Sequence, residues 1–535
     1  MRKNSKFTEA VVAALVAVAT AAIYLIFRSA YYFPDAMRWE LGIAGRGAQA
    51  VWHPHHLIYN PLAVAFHAVL KLFGYGGRLF GAMQILDALI GGAGVALAYA
   101  VLRRTSASRR WAVAGALSVA FSFGYWAYAC NAESVALSTV AAMATLWAAL
   151  WAGEGKSTGR WALCGVAAGV AVLTHITNGL LLAFVLAAYF LSPPRKKWVG
   201  LPAVLASFAL PVAALYAAAA FIFLGYSSAG DAWRWVAGVP GHSQYYMSYR
   251  VYNVVLDLYA LTRNFFGLRW AKDVVTDGWT AGYAALAAVL VVAGVAVAAA
   301  LIFALIRFGK KGSDRRPLWL GLALLLPFAA FFTFRDAGGI DRWTTQVFAL
   351  LFLAYAGLRA GGASRAGRIV LVALPALLFV GNFAGSIYPE SKEQNNEHLA
   401  FVRFVDGVTE PGDMVIFDGT GGLGTGIYPT YFAGVETTGI YFGVRDPATF
   451  HAAVDETLAA GRAVYVSDAR SAAGSADVIG AGGPGEYDVT GEAAAELLAS
   501  YRLEYATTYH GPRYAPSRFW RLLPRDGLPD ANTPE

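Results

Sequence analysis

Residues 78–110 read RLFGAMQILDALIGGAGVALAYAVLRRTSASRR. The run from 78 to 102 is long enough to cross a bilayer, which takes about 20 predominantly apolar residues. It stops on Arg103, Arg104, Arg109 and Arg110. An apolar run closed by a basic cluster is the pattern of a transmembrane helix ending on the cytoplasmic side. The pattern recurs along the chain. Spans are expected near 9–28, 78–102, 111–129, 134–152, 160–177, 179–192, 199–225, 281–306, 317–334, 343–359 and 369–388. The run at 179–192 is short and reads as a tilted or partial span. Further basic clusters lie at Arg2 and Lys3, at Lys156 and Arg160, and at Arg195, Lys196 and Lys197. Two more lie at Arg307, Lys310, Lys311, Arg315 and Arg316, and at Arg359, Arg365 and Arg368. All fall in alternate loops, which places the N-terminus inside. Segments 29–77, 226–280 and 335–342, and everything after about 389, are then outside.

Composition agrees. Of 535 residues, 57% are hydrophobic and 14% charged, whereas soluble domains carry about a quarter charged residues. The net charge of +8 would suggest nucleic acid in a soluble domain. Here the basic residues separate apolar runs, so they orient the chain in a membrane and no nucleic-acid partner is expected. Cys130 and Cys164 form no CxxC pattern, which excludes a disulfide framework and a cysteine metal site. The basic start and the apolar stretch from Ala10 to Phe27 resemble a signal peptide. That stretch is long for one and is followed by no clear cleavage site, so it is expected as the first retained span.

The first outside segment contains Pro34, His53-Pro54 and an apolar stretch from Leu62 to Phe73, expected as an interfacial helix. The second carries Trp233, Trp235, Tyr245, Tyr246, Tyr249, Tyr252 and Tyr259, as a surface-hugging segment would. From about Pro389 charges become frequent. Strand-like runs at Met414–Phe417, Gly439–Phe442, Ala463–Val466 and Phe519–Leu523 alternate with helical periods at His398–Val408, Pro447–Ala460 and Gly491–Tyr501. The expected architecture is therefore a polytopic α-helical membrane protein of about eleven spans over 1–388. A small extracytoplasmic α/β domain follows over 389–535.

Polar residues at the outer ends of the spans are the candidates for chemistry. Asp35 follows Pro34; it can cap a helix or serve as an acid/base carboxylate, and Arg38 is one turn away. His53, His55 and His56 cluster. A His-x-His pair can hold zinc, but no third ligand is obvious and no dedicated metal site is expected. A structural or phosphate-binding role is the alternative, and a divalent cation stays open as a cofactor. Glu133, between spans, is a helix-start acid or a functional one. His175, beside Thr174, Thr177 and Asn178, is a buried hydrogen-bonded side chain or lines a cavity. Arg335, Asp336, Asp341 and Arg342 crowd one outside turn, either as solvated turn residues or as a clamp for phosphate. Gly419, Gly421 and Gly424 match GxGxxG, but Pro429 follows too soon for the helix that a dinucleotide site needs. The chain contains no Walker motif, no GxSxG and no HExxH.

Taken in order, these features resemble the GT-C membrane glycosyltransferases, which include protein O-mannosyltransferases and the aminoarabinose-type transferases of lipid A. The resemblance rests on FPDAMRWELG after the first span, HPHHLIYNPL, Arg78, AESVAL and GVAVLTHITNGLL. It covers about 8–200 and continues more loosely to 390. His55 stands where a second proline is common, and Val135 where an aromatic residue is common. The resemblance implies a sugar donor on a polyprenyl phosphate, used at the outer face of a bacterial inner membrane. It implies Asp35 as catalytic base, with His53, His175, Arg335 and Arg342 on the departing phosphate and Glu133 on a sugar hydroxyl. The acceptor is a protein, lipid or glycan. A secondary transporter or flippase of a lipid-linked substrate, and a non-catalytic envelope-assembly scaffold, are the competing functions. Transporters usually show paired halves, and here the polar residues crowd one side instead.

Overall fold

The computed structural model describes residues 2–105, 108–155, 157–237, 251–310, 314–335, 337–357, 365–417, 427–467, 491–511 and 517–524. The chain divides into two compact units. One is Met1–Ser29 with Gly42–Ser391; the other is Ala30–Leu41 with Lys392–Glu535.

In the first unit each of the eleven apolar runs is helical over most of its length. Among the described residues, seven helices are long and apolar enough to cross a membrane: Phe7–Ile26, Leu79–Thr105, Val135–Gly155, Lys197–Phe223, Ala281–Gly309, Arg316–Arg335 and Arg368–Glu390. The run at 111–129 is broken. Arg109–Ala120 and Phe123–Ala129 meet at 67°, and together they make an eighth candidate span. Ser122 sits at the break, its hydroxyl donating to Val119 O (2.7 Å). The runs at 160–177 and 179–192 form the shorter helices Thr158–Thr174 and Ile176–Leu191, separated by His175 in an extended conformation. Thr344–Gly357 is shorter still than a full crossing, with 14 residues. The outward faces remain apolar: Leu15, Val18, Leu210, Val291, Val295 and Ile302 are each more than half exposed. A helix that turns such a face outwards is matched to lipid. The chain is a multi-pass membrane protein.

Inside the bundle the phenols of buried tyrosines meet backbone carbonyls. Tyr24 donates to Ala120 O (2.9 Å), Tyr125 to Gly91 O (2.8 Å) and Tyr355 to Leu371 O (2.7 Å). Burial thus leaves no hydroxyl of these three stranded. Glu9, on the first helix, gathers Arg109 (2.8 Å), Arg103 (3.2 Å) and the Tyr99 hydroxyl. The first helix is tied in this way to the arginine cluster that closes the second span. Helices Thr158–Thr174 and Lys197–Ala217 pack through Gly165 and Gly169. A Cβ at Gly169 would stand 2.4 Å from Phe208 O, and one at Gly165 2.5 Å from Val204 O. Small residues permit such backbone approach in membranes. Gly169→Ala is therefore expected to destabilise by about 1–3 kcal/mol through overpacking. Gly309→Ala, where a Cβ meets nothing within 4 Å, should be silent. Thermal unfolding of both variants in detergent checks this.

Among the described residues of the second unit five strands form one sheet, ordered β2-β1-β3-β5-β4. They are β1 Met414–Phe417, β2 Glu436–Gly439, β3 Val464–Ser467, β4 Tyr501–Tyr509 and β5 Ser517–Pro524. β1 pairs in parallel with β2 and β3, while β5 is antiparallel to β3 and β4. Helices Glu397–Val408, Ile427–Ala433, Pro447–Ala459 and Gly491–Leu498 accompany it. Met414, Ile416, Val464, Val466 and Leu522 from the sheet bury against Phe450, Val454 and Leu497. This is the small α/β domain expected from sequence, with two corrections. The run at Gly439–Phe442 is mostly helix (Ile440–Arg445), and the strand precedes it as the polar ETTG of β2. β4 was not anticipated. Among the described residues it pairs only with β5, and its central residues are exposed; Tyr501, Leu503 and Tyr505 do alternate with Arg502 and Glu504, but the run directly follows the helical period that ends at Tyr501. Gly419, Gly421 and Gly424, and likewise Tyr245, Tyr246 and Tyr249, lie outside the described residues.

Candidate functional site

The helix Pro34–Arg46 begins on a proline, whose fixed φ suits a first turn. Asp35 is thus inside that turn rather than ahead of it as a cap, and the helix dipole favours its carboxylate there. Arg38 Nη1 lies 3.0 Å from Asp35 Oδ1, both side chains about half exposed. The segment carrying Asp35 is bound to the α/β domain by a buried polar set. Tyr32 N–H donates to the Tyr428 hydroxyl (2.7 Å), which donates back to Tyr32 O (2.8 Å). Asn396 Nδ2 donates to Ala30 O (2.6 Å), and the Tyr431 hydroxyl donates to Glu40 Oε2 (2.5 Å). Asn396 is fully buried. Its Oδ1 also caps the helix Glu397–Val408 by accepting from His398 N (2.9 Å) and Leu399 N (3.2 Å).

The remaining candidates lie in the membrane unit. His53-Pro54-His55-His56 forms a turn closed by His56 N–H to His53 O (3.0 Å). It is stitched to the segment before and after His175: Ile176 N–H donates to His55 O (3.1 Å) and Ile58 N–H to Leu173 O (3.0 Å). The Tyr216 hydroxyl holds Pro54 O (2.6 Å). These bonds bring His175 to His56, with ring centroids 4.8 Å apart. Burial, then the neighbouring His175, His53, His55 and Arg342, hold the His56 imidazole well below the usual histidine range, so it is neutral at pH 7.

A small recess of about 20 Å³ opens beside His175, lined also by Ser138, Thr177, Asn178, Asp341, Arg342 and Thr345. Thr177 fixes the His175 ring. Its N–H donates to Nδ1 (3.2 Å) and its hydroxyl lies 2.6 Å from the same nitrogen. Arg342 pairs with Asp341 (2.7 Å), both about one quarter exposed. The turn that carries them is held by Asn264, which donates to Ile340 O (2.6 Å) and accepts from the Thr344 hydroxyl (3.0 Å). Arg335 stands at the end of helix Arg316–Arg335, over the Phe331 ring at 5.8 Å; it is not among the residues lining the recess. Asp336 lies outside the described residues.

Glu133 is positioned by a residue that sequence reasoning missed. Asp87, fully buried in the second span, accepts from Glu133 N–H (3.0 Å) and from the Tyr59 hydroxyl (2.5 Å) through one oxygen. It links the helix after the histidine turn to the turn before the fourth span. The signal was present, since a lone carboxylate inside an apolar run is costly and calls for a partner.

The fold has counterparts among known proteins. Residues 61–230 match the family model described as dolichyl-phosphate-mannose-protein mannosyltransferase. ArnT from Cupriavidus metallidurans, bound to undecaprenyl phosphate, superposes with a TM-score of 0.57 at 13% identity, covering 96% of this chain and 97% of that one. The apo state of the same protein gives a TM-score of 0.57 at 12% identity, with coverages of 97% and 98%. The Archaeoglobus fulgidus oligosaccharyltransferase tethered with an acceptor peptide gives 0.48 at 13% identity, with coverages of 95% and 74%. No curated protein matches the chain in sequence. The chain is a membrane protein with the GT-C fold. Within that class its residues 61–230, which hold Asp87, Glu133 and His175, carry the likeness to the mannosyltransferase family.

Proposed function

We propose that this protein is an inverting glycosyltransferase that moves a sugar from a polyprenyl-phosphate donor to an acceptor hydroxyl. The observation that carries the reading is the recess of His175, Asp341 and Arg342 in a fold whose ArnT example is bound to undecaprenyl phosphate. Arginine and histidine in a partly desolvated recess suit a leaving phosphate, whose charge grows as the glycosidic bond breaks. Asp35 is the base. It takes the acceptor hydroxyl's proton as that oxygen bonds to the anomeric carbon and the carbon–phosphate oxygen bond breaks. The phosphate stays on its lipid. Arg38 orients the Asp35 carboxylate and belongs with the residues that bind substrate or its phosphate. His53, His55, His56, His175, Arg335 and Arg342 bind the donor phosphate, and Glu133 holds a sugar hydroxyl. Residues 1–388 form the catalytic membrane domain of a bacterial inner-membrane protein. Its N-terminus is cytoplasmic, and residues 389–535 form an extracytoplasmic domain.

The test is direct. Purified protein is incubated with radiolabelled polyprenyl-phosphate sugars, hexoses and mannose among them, and a membrane extract. Label should pass from lipid to a product. Tight donor binding with no transfer from any donor would sink the enzyme reading and favour a lipid transporter.

A further inference from the structure

His53, His55 and His56 each offer a ring nitrogen, and these atoms all lie within 4.8 Å of one another. The ring centroids are 5.1 Å apart for His53 and His55, 5.5 Å for His53 and His56, and 6.0 Å for His55 and His56. Tetrahedral binding at 2.0–2.1 Å needs ligand nitrogens about 3.4 Å apart. Small rotations about χ1 and χ2 close that gap of up to about 1.4 Å. The turn that presents the rings is rigid. Pro54 fixes one φ, and the backbone around it is held at Pro54 O, His55 O and Ile58 N–H by separate elements. The long contact from His55 N–H to His53 Nδ1, 3.3 Å, is a small loss on turning that ring. His175 stands outside the ligand set: Thr177 N–H donates to its Nδ1, which leaves the neutral ring's proton on Nε2.

We propose that these three histidines bind a first-row transition-metal dication of the zinc type. Three imidazoles with no carboxylate among them suit zinc or cobalt and not magnesium, calcium or manganese, which prefer oxygen. Three protein ligands leave a tetrahedral position open. Neutral ligands leave the ion its full double charge, so that position attracts an anion. On the reading above, and resting on it, the anion is the donor's phosphate oxygen. The nearby Arg342 does not repel the ion fully, since Asp341 neutralises it at 2.7 Å.

The test uses the full-length protein in detergent, without a histidine tag, titrated with cobalt(II). Wild type should take up one equivalent with the visible bands of a low-coordinate nitrogen site. Zinc should displace it and magnesium should not. His53→Ala/His55→Ala should bind more weakly by more than the roughly 10–100-fold that loss of an outer-shell partner costs. His55→Cys should keep one equivalent and add a thiolate-to-cobalt charge-transfer band. Absence of cobalt from folded wild type, equal binding by the double variant, or no new band in His55→Cys overturns the site. Polyprenyl phosphate should perturb the cobalt bands; unchanged bands overturn the phosphate assignment. Cobalt binding without any sugar transfer keeps the metal site and rejects the enzyme reading, so the two fail separately.

Discussion

Asp35→Asn should lower transfer by roughly 10²–10⁴-fold, the range that a positioned general base contributes, while the protein stays folded and inserted. An amide accepts no proton at pH 7, but it keeps the size and one acceptor oxygen of the carboxylate. Little stability is at stake. The carboxylate and Arg38 are each about half exposed, and an exposed ion pair is worth about 0–1 kcal/mol. The loss should appear in kcat, with the donor KM within a few-fold, because the acceptor proton moves only in the transition state. Labelled-sugar transfer by the two proteins, beside their melting curves, gives the answer. Equal transfer would remove Asp35 from the mechanism and leave the enzyme standing.

The second large effect is expected 361 residues away in sequence, at Asn396. Its carboxamide caps a helix with one atom and holds Ala30 O with the other. Asn396→Ala loses the cap, about 0.5–2 kcal/mol, and leaves a buried carbonyl unsatisfied, about 1–3 kcal/mol more. Asn396→Asp separates the two. It keeps the capping oxygen but sets a carboxylate against Ala30 O, so the domain should hold while the Asp35 segment loses its anchor. Misplacing a catalytic group by about 1 Å costs on the order of a hundredfold, and the aspartate variant should lose transfer on that scale. Wild-type turnover in Asn396→Asp would mean that the anchor does not set the position of Asp35.

The membrane architecture was legible because it is written in composition. Apolar runs and basic clusters report on the local solvent, and that solvent decides the helix. Breaks were less legible. Phe121–Ser122 interrupts a helix within a run that remains apolar, and hydropathy averages over such a point, whereas the break at His175 falls in the polar cluster Thr174–Asn178. The candidate residues were visible as polar exceptions, but their partners were not. Nothing in HPHH says that its backbone pairs with residues 173–176, and so the approach of His56 to His175 came from the fold. The grouping of Ala30–Leu41 with the C-terminal sheet rests on Tyr428, Tyr431 and Asn396, ordinary residues of an ordinary soluble domain. β2 escaped for a related reason, since the polar ETTG draws its structure from its neighbours, whereas β4 carries an alternation at Tyr501, Leu503 and Tyr505 that merges with the helical period before it.

That grouping has a consequence for how the molecule is made. Tyr32 and Tyr428 are separated by 396 residues, so the segment around Tyr32 waits for those residues to be made before it meets its partner. Synthesis runs N-terminal first at about 5–20 residues per second, so the delay is on the order of half a minute. During that time the spans can insert while the segment bearing Asp35 is still without its seat. A chain stalled or clipped before residue 396 would be a membrane-embedded bundle with no anchored carboxylate. The bond between Tyr32 and Tyr428 thus ties the Asp35 segment to a part of the chain made much later.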